Sequence, residues 1–87
     1  MYFVYILQSE KSGKYYIGST GNIERRLLEH NSGKTKSLKY SRPLRIVFRK
    51  EFVEESDAKQ VERKIKKLKS RTIIEQIIVD QKLIMGP

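Results

Sequence analysis

The side chains best suited to chemistry crowd into one short stretch, "YYIGSTGNIERRLLEH", at residues 15–30. It holds a tyrosine pair, an arginine pair and the only histidine of the chain, and another tyrosine, Tyr5, lies ten residues earlier. Phenol and imidazole groups exchange protons, and guanidinium groups bind anions. The composition of this stretch therefore suits acid–base chemistry beside an anionic group.

Helical periodicity separates the two arginines. At about 100° per residue, Ile23, Leu27 and His30 share one face of the segment. Arg26 lies at the edge of that face, whereas Arg25 points nearly opposite to it. We expect Arg25 to face solvent, and Arg26 and His30 to flank the buried stripe.

Glu62 lies at the edge of an apolar helix face in the same way. The periodicity sets it beside Ala58 and Ile65, at the rim of that face. A carboxylate held there costs desolvation free energy unless a partner offsets it. We expect a cation, an arginine or a metal ion close to Glu62; the alternative is an ordinary helix acid that pairs with Lys66 at i+4.

The elements that position these groups follow the order ββαβαα. Turn residues, alternation and helical periodicity predict strands at 2–8, 15–19 and 44–52, and helices at 22–33, 56–69 and 70–84. Asn22 and Ser56 are candidate N-caps, and Gly33 is a C-terminal stop. The fold class is α+β, with helices packed on a three-stranded sheet. At 87 residues, we expect one domain over 1–87 with its core at about 1–80.

Positive charge is concentrated in two blocks. The net charge is +9, from 19 Lys and Arg against 10 Asp and Glu. Seven basic residues and no acid lie between Lys34 and Lys50, and seven basic residues with one acid lie between Lys59 and Arg71. A polyanion, nucleic acid above all, is the natural partner. A solvated surface, an anionic membrane and acidic proteins are the alternatives.

Two features bear on the compartment. The chain has no cysteine, which excludes disulfides and thiolate zinc sites and fits the reducing cytoplasm. The first apolar run ends at Gln8, so it is too short to cross a membrane, and no basic region precedes it as in a signal peptide. We expect a cytoplasmic protein that makes no use of a membrane.

The ordered set of "FVY" at 3–5, "YIG" at 16–18, the helix "NIERRLLEH" and a glutamate on the next helix resembles the GIY-YIG nuclease superfamily. It is most similar to the small single-domain members, which are like the N-terminal incision domain of the bacterial excinuclease. The resemblance runs from Phe3 to about residue 80. It implies a three-stranded antiparallel sheet flanked by helices, and a nuclease that hydrolyses phosphodiesters with one divalent ion, Mg²⁺ or Mn²⁺.

The resemblance also implies a role for each matching residue. Five are catalytic candidates and one glycine closes the second motif; in chain order they are Tyr5, Tyr16, Gly18, Arg26, His30 and Glu62. Glu62 would hold the metal, which polarises the phosphate and helps stabilise the leaving oxygen. Arg26 would offset charge on the phosphoryl oxygens. Tyr5 is favoured as the base and Tyr16 as the group that orients water and phosphate, although the sequence does not separate them.

A tyrosine with a pKa of about 10 is a poor base at neutral pH, so this mechanism depends on cations that stabilise the phenolate. The two basic blocks are expected to follow a nucleic-acid backbone through Lys34, Lys36, Lys39, Arg42, Lys66 and Lys69. DNA is favoured over RNA as the substrate, and DNA repair is the expected process. The chain has little room left to read bases, so we expect structure-selective cleavage.

Two departures from the family pattern keep a second hypothesis open. Phe3 replaces the first glycine of the family motif, which mainly shapes the start of a strand. Larger members carry a further asparagine after the glutamate, whereas this chain has none beyond Asn31. The alternative is a catalytically weak or inactive nucleic-acid-binding module, in which Tyr5 and Tyr16 pack in strands and His30 only hydrogen-bonds Tyr5 or the backbone.

Overall fold

The structure is a computed structural model that describes residues 1–33, 41–68 and 70–83. The order ββαβαα and the α+β class are confirmed. The elements are β1 (Tyr2–Ser9), β2 (Tyr15–Thr20), α1 (Ile23–Asn31), β3 (Leu44–Phe52), α2 (Glu55–Leu68) and α3 (Arg71–Asp80). The strands form one antiparallel sheet in the order β2-β1-β3, with β1 in the centre.

The central strand β1 is buried on both faces. Its residues Val4 and Ile6 belong to the larger core cluster, with apolar side chains of α2 and α3. Tyr5 and Leu7 point to the opposite face, where they pack with Ile23 of α1. Side chains alternate along a strand, so the sheet lies between α1 on one side and α2 with α3 on the other. The Tyr5 phenol therefore faces α1.

The ends of α1 are those that the sequence predicts. The Asn22 side chain caps the N-terminus by accepting a hydrogen bond of 3.0 Å from the backbone N–H of Arg25. Ser32 is the C-cap, and Gly33 follows with φ of 87°, a left-handed conformation that glycine adopts without strain. These caps fix where Arg26 and His30 stand on the sheet.

The predicted cap at Ser56 is wrong. Helix α2 begins at Glu55, so Ser56 lies inside its first turn. The backbone N–H of Ala58 donates to the Glu54 carbonyl at 3.3 Å, which starts the helical bonding earlier. Several consecutive polar residues precede the apolar stripe here, and each suits a helix start, so residue type alone does not choose among them.

The β2 edge of the sheet is where both helical layers come within reach. Tyr16 and Gly18 of β2 pair with Leu7 and Tyr5, on the α1 face, whereas Ser19 faces α2. Side chains from α1 and α2 can therefore meet around this edge strand. Among residues 1–33, 41–68 and 70–83, no helix combines the length and the hydropathy needed to cross a membrane.

Candidate active site

A cavity of about 550 Å³ opens at the β2 edge. All six positions that match the motif line it, namely Tyr5, Tyr16, Gly18, Arg26, His30 and Glu62. They come from β1, β2, α1 and α2, and nearly sixty residues separate the first from the last. Sequence reasoning selected these residues as a set, and the fold brings the set together.

Gly18 makes room for the Tyr5 side chain. The two residues are direct partners in the antiparallel pairing of β1 and β2. A Cβ at Gly18 would overlap with the Tyr5 hydroxyl oxygen and would lie 2.6 Å from Cζ of the ring. The absence of a side chain at Gly18 therefore lets the phenol lie across β2 and reach the cavity.

Tyr5 and His30 form a buried hydrogen-bonded pair. The Tyr5 hydroxyl and His30 Nε2 are 3.3 Å apart, and the ring centroids are 6.3 Å apart. Burial lowers the pKa of His30, and the charge of Arg26 lowers it further against the weaker opposing effect of Glu29. His30 is therefore neutral at pH 7, and a neutral imidazole has one nitrogen that accepts and one that donates a hydrogen bond.

The environment of Tyr5 opposes ionisation. Burial raises the pKa of the Tyr5 phenol above its ordinary value of 10.0, and Glu62 adds to that shift. The neighbouring Arg26 guanidinium and the Lys66 ammonium act in the other direction without reversing it. Tyr5 therefore remains protonated at neutral pH in the metal-free protein, and its use as a base depends on a proton acceptor or on added positive charge.

The Tyr16 phenol has a different kind of partner. Its hydroxyl lies 2.6 Å from Oγ of Ser41, and the Ser41 carbonyl accepts a 2.6 Å hydrogen bond from Oγ of Ser9. Ser41 is a site residue that sequence reasoning missed. Ser41 follows a run of mixed polar residues in which no motif or period marks it, so no sequence signal points to it.

The two arginines differ as the helical periodicity predicts. The Arg25 side chain is 75% exposed, and the Arg26 side chain, 49% exposed, lines the cavity. Both reach the Glu29 carboxylate, at 3.9 Å from Arg25 and 3.8 Å from Arg26. Arg26 alone of the pair can therefore act on a group bound in the cavity.

Glu62 has a partner on each carboxylate oxygen. Ser19 donates to Oε1 at 2.5 Å, and the Lys66 ammonium lies 2.7 Å from Oε2. Burial raises the pKa of Glu62, but the hydrogen bonds from Lys66 and Ser19 and the charges of Lys66 and Lys59 outweigh it, so the pKa is below its usual value. The cation beside Glu62 is the lysine at i+4, which is the pair named above as the alternative to a metal site, and the role of Glu62 as a metal ligand stays a prediction.

Ser19 is a second site residue that sequence reasoning missed. It directly follows the "YIG" motif, and alternation along β2 turns it away from Gly18 toward α2. The position of Ser19 in the strand was the sequence signal that could have identified it. Its hydroxyl fixes one edge of the Glu62 carboxylate without adding charge.

The donor set at Glu62 fits a hard divalent cation that keeps most of its water. Within the described part of the chain, no three His, Cys, Asp or Glu side chains cluster as a complete protein cage. Mg²⁺ does not need one, because it is commonly held by one or two carboxylates together with water and substrate phosphates. The Glu62 side chain is 18% exposed and faces an open cavity with the Ser19 hydroxyl beside it.

Two of the six basic residues predicted to contact nucleic acid fall within the described residues. Lys66 lines the cavity. Arg42 is exposed and donates to the carbonyl of Asn31 at 3.3 Å, next to the end of α1. The other four, Lys34, Lys36, Lys39 and Lys69, lie outside the described residues.

Comparison with known proteins identifies a family. Residues 1–75 match the GIY-YIG catalytic domain. The chain belongs to the GIY-YIG family. A UPF0213 protein of Photorhabdus laumondii is 39% identical over 79 residues, which cover 90% of this chain and 74% of the relative. Another, from Streptococcus pneumoniae, is 36% identical over 70 residues, covering 77% of this chain and 68% of the relative.

A solved structure of the same group extends the likeness to the fold. The solution NMR structure of a UPF0213 protein from Bacillus halodurans has a TM-score of 0.58 and 36% identity, and it covers all of this chain and 89% of its own. The GIY-YIG catalytic domain carries the potential for nuclease activity, whereas the shared name UPF0213 states none.

Proposed function

We propose that this GIY-YIG protein is a metal-dependent endonuclease that hydrolyses phosphodiester bonds in DNA. The observation that carries the proposal is the convergence of Tyr5, Arg26, His30 and Glu62 on one cavity. These residues supply a proton-transfer pair, a cation for phosphate oxygens and a carboxylate for a metal. The proposed site uses all three within one open cavity at the edge of the sheet.

The proton path begins at Tyr5. Neutral His30 Nε2 is within hydrogen-bond reach and accepts the phenol proton as Tyr5 takes one from the attacking water. The water becomes hydroxide, Tyr5 ends neutral, and His30 carries the added proton. This transfer avoids a free phenolate, which the raised pKa of Tyr5 disfavours.

Tyr16 and Arg26 have supporting roles in this scheme. The hydroxyl partner of Tyr16 is Ser41, which has no basic character, so Tyr16 orients water and phosphate and Tyr5 acts as the base. The Arg26 guanidinium binds the phosphoryl oxygens and offsets the charge that develops on them. Glu62 would hold a Mg²⁺ or Mn²⁺ ion, which when bound would polarise the phosphate and help stabilise the leaving oxygen.

The charge of the chain supports a nucleic acid as the substrate, and the proposal of DNA cut by structure rather than by sequence rests on likeness to the family. A net charge of +9 gives strong attraction to phosphates that is independent of base sequence. The proposed location is the cytoplasm, whose reducing conditions suit a chain without cysteine. Incision during DNA repair is the proposed process, by likeness to the incision domain of the bacterial excinuclease.

The decisive experiment is cleavage of a panel of linear, nicked, flapped and four-way-junction DNAs, with RNA duplexes beside them. Each substrate is incubated with Mg²⁺ or Mn²⁺ and with EDTA. We expect divalent-dependent cleavage that is fastest on branched DNA and absent in EDTA. Cleavage that persists in EDTA would contradict the metal mechanism, and RNA cut faster than every DNA would contradict the substrate.

A catalytically inactive binding module is the second candidate function. The ion pair between Glu62 and Lys66 favours it, because that pair satisfies the carboxylate with no metal present. Salt-dependent DNA binding without cleavage of any substrate in Mg²⁺ or Mn²⁺ would establish this candidate in place of the nuclease.

A further inference from the structure

We propose that Lys66 is an exchangeable counter-ion of the site. It holds Glu62 while no metal is bound and passes to a nucleic-acid phosphate when a divalent cation takes the carboxylate. The inference deepens the proposed function and rests on Glu62 as the metal ligand. It assigns to Lys66 the coupling of metal binding to substrate binding.

Lys66 occupies the position that a metal ion on Glu62 would need. Its ammonium nitrogen is 2.7 Å from Oε2 of Glu62, and the Ser19 hydroxyl is on Oε1. A magnesium ion would sit about 2.1 Å from a carboxylate oxygen. The neutral Ser19 hydroxyl can share its oxygen with a cation, since a carboxylate offers about four lone-pair sites. The Lys66 ammonium must leave, because it carries like charge.

Lys66 can leave Glu62 at a small cost in free energy. Its side chain is 54% exposed, and its ion pair with Glu62 is made by the ammonium group at the flexible end of the side chain. Exposed ion pairs of this kind are weak and depend on salt. A released ammonium would still lie in the cavity that Arg26 and Tyr5 line. A phosphate entering that cavity is the anion available to receive it.

Lys59 provides a matched comparison for Lys66. It lines the same cavity and carries the same charge, yet its ion pair is with Glu55, at 3.9 Å. Lys59 acts on Glu62 only through space, by contributing to its lowered pKa. An effect specific to contact with the carboxylate should therefore appear at Lys66 and be small at Lys59.

The test is the affinity of the protein for Mn²⁺ without nucleic acid, measured by electron paramagnetic resonance of the free ion. Lys66→Gln and Lys66→Met should each tighten Mn²⁺ binding by about fivefold, the factor expected for loss of a weak competing ion pair. Lys66→Arg should keep the wild-type affinity, and Lys59→Gln should change it by less than about twofold. Glu62→Gln removes the proposed ligand and therefore gives the background Mn²⁺ signal. Thermal unfolding checks that each variant is folded.

The exchange itself is tested by repeating the titration with a short DNA duplex, in a Tyr5→Phe background that blocks hydrolysis. Mn²⁺ should increase the affinity for DNA, and DNA should increase the affinity for Mn²⁺ by the same factor. That factor should be smaller when Lys66 is Gln, because no ammonium is transferred to the phosphate. The Lys59→Gln variant should retain the wild-type factor.

The outcomes separate this inference from the proposed function. Unchanged Mn²⁺ affinity in both neutral variants at position 66, or no binding that depends on Glu62, would overturn the inference. Tighter Mn²⁺ binding with an undiminished coupling factor would overturn the transfer to phosphate. Absence of DNA cleavage alongside the expected Mn²⁺ results would overturn the nuclease while leaving the counter-ion role of Lys66 in place.

Discussion

At the scale of single residues, the two tyrosines of the cavity illustrate how partners determine chemistry. Tyr5 and Tyr16 are the same side chain in neighbouring strands, but one meets the imidazole of His30 and the other the hydroxyl of Ser41. An imidazole accepts a proton near neutral pH, and an alcohol does not. In the proposed mechanism, these neighbours favour Tyr5 over Tyr16 as the base.

Burial of His30 predicts an effect of pH on stability. Because the pKa of His30 is lowered in the folded state, the unfolded chain binds more protons below its ordinary value of 6.5. The free energy of unfolding should fall as the pH falls from 6.5 toward the lowered value, and it should be fully restored above 6.5. Urea unfolding at pH of about 7.5 and about 5.5 measures this change. His30→Gln should lose that part of the dependence; an identical profile in wild type and variant would contradict it.

The arginine pair predicts a sharp contrast in activity. Arg26→Ala should reduce DNA cleavage by a factor on the order of 100 or more, because it removes a cation at the phosphate. Arg25→Ala should change cleavage little. Each variant loses one contact with Glu29, so the pair is matched for the loss of that contact. Comparable rate losses in the two variants would refute the assignment from the helical face.

The carboxylate of Glu62 predicts separable effects on cleavage and binding. Glu62→Gln preserves size and an acceptor for Ser19 but removes the charge that a hard cation needs. Metal-dependent nicking should disappear, and DNA binding in EDTA should persist or tighten. Loss of the pair with Lys66 should lower stability by about 0.5–1 kcal/mol. Nicking at the wild-type rate would show that Glu62 is only a helix acid.

At the scale of elements, the pairing of β1 with β2 determines whether the cavity exists. Tyr5 and Gly18 are opposite each other, and a slip of one residue would turn Tyr5 to the α2 face. The helix α1 then brings Arg26 and His30 over the same face, starting from its cap at Asn22. The site therefore depends on the register between β1 and β2 and on the residue at which α1 begins.

Close packing at Gly18 predicts a specific loss of function. Gly18→Ala would force its Cβ against the Tyr5 ring and move the phenol, so cleavage should fall strongly and stability should drop by about 1–3 kcal/mol. Gly21→Ala is the control, because its Cβ would meet the Tyr2 ring at an ordinary distance of 3.4 Å. Rates of cleavage and urea unfolding for both variants measure the effect. Equal tolerance of both substitutions would show that the register argument is wrong.

At the scale of the whole molecule, the chain carries a large positive net charge, and the described lining of the cavity includes Arg26, Lys59 and Lys66 beside Glu62. The net charge of +9 draws any nucleic acid toward the surface, and the cavity adds the chemical groups. Attraction of this kind is insensitive to base sequence. A single domain over residues 1–87 stays a prediction.

The charge predicts a steep dependence of DNA affinity on salt. If the basic blocks neutralise about four to six phosphates, the slope of log K against log salt should be roughly −4 to −5 on duplex DNA. Titrations in EDTA at several salt concentrations measure the slope without cleavage. Duplexes of unrelated sequence should bind alike. A flat response would contradict the electrostatic account.

The sequence by itself determined most features that depend on neighbours along the chain. The alternation and caps located the strands and α1, and the helical period turned Arg26 toward the cavity and Arg25 toward solvent. The resemblance to a family then selected Tyr5, Tyr16, His30 and Glu62, which line one cavity. Even here local patterns failed where several polar residues competed, as at Ser56.

Only the tertiary structure decided which side chains touch. The Tyr16–Ser41 contact joins residues 25 positions apart, and the Ser19–Glu62 contact joins residues 43 positions apart. Neither serine had a sequence signal strong enough to identify it as a site residue. Periodicity fixes the direction of a side chain relative to its own element. Distances between elements depend instead on strand register, on space such as that left at Gly18, and on how helices seat against the two faces of the sheet.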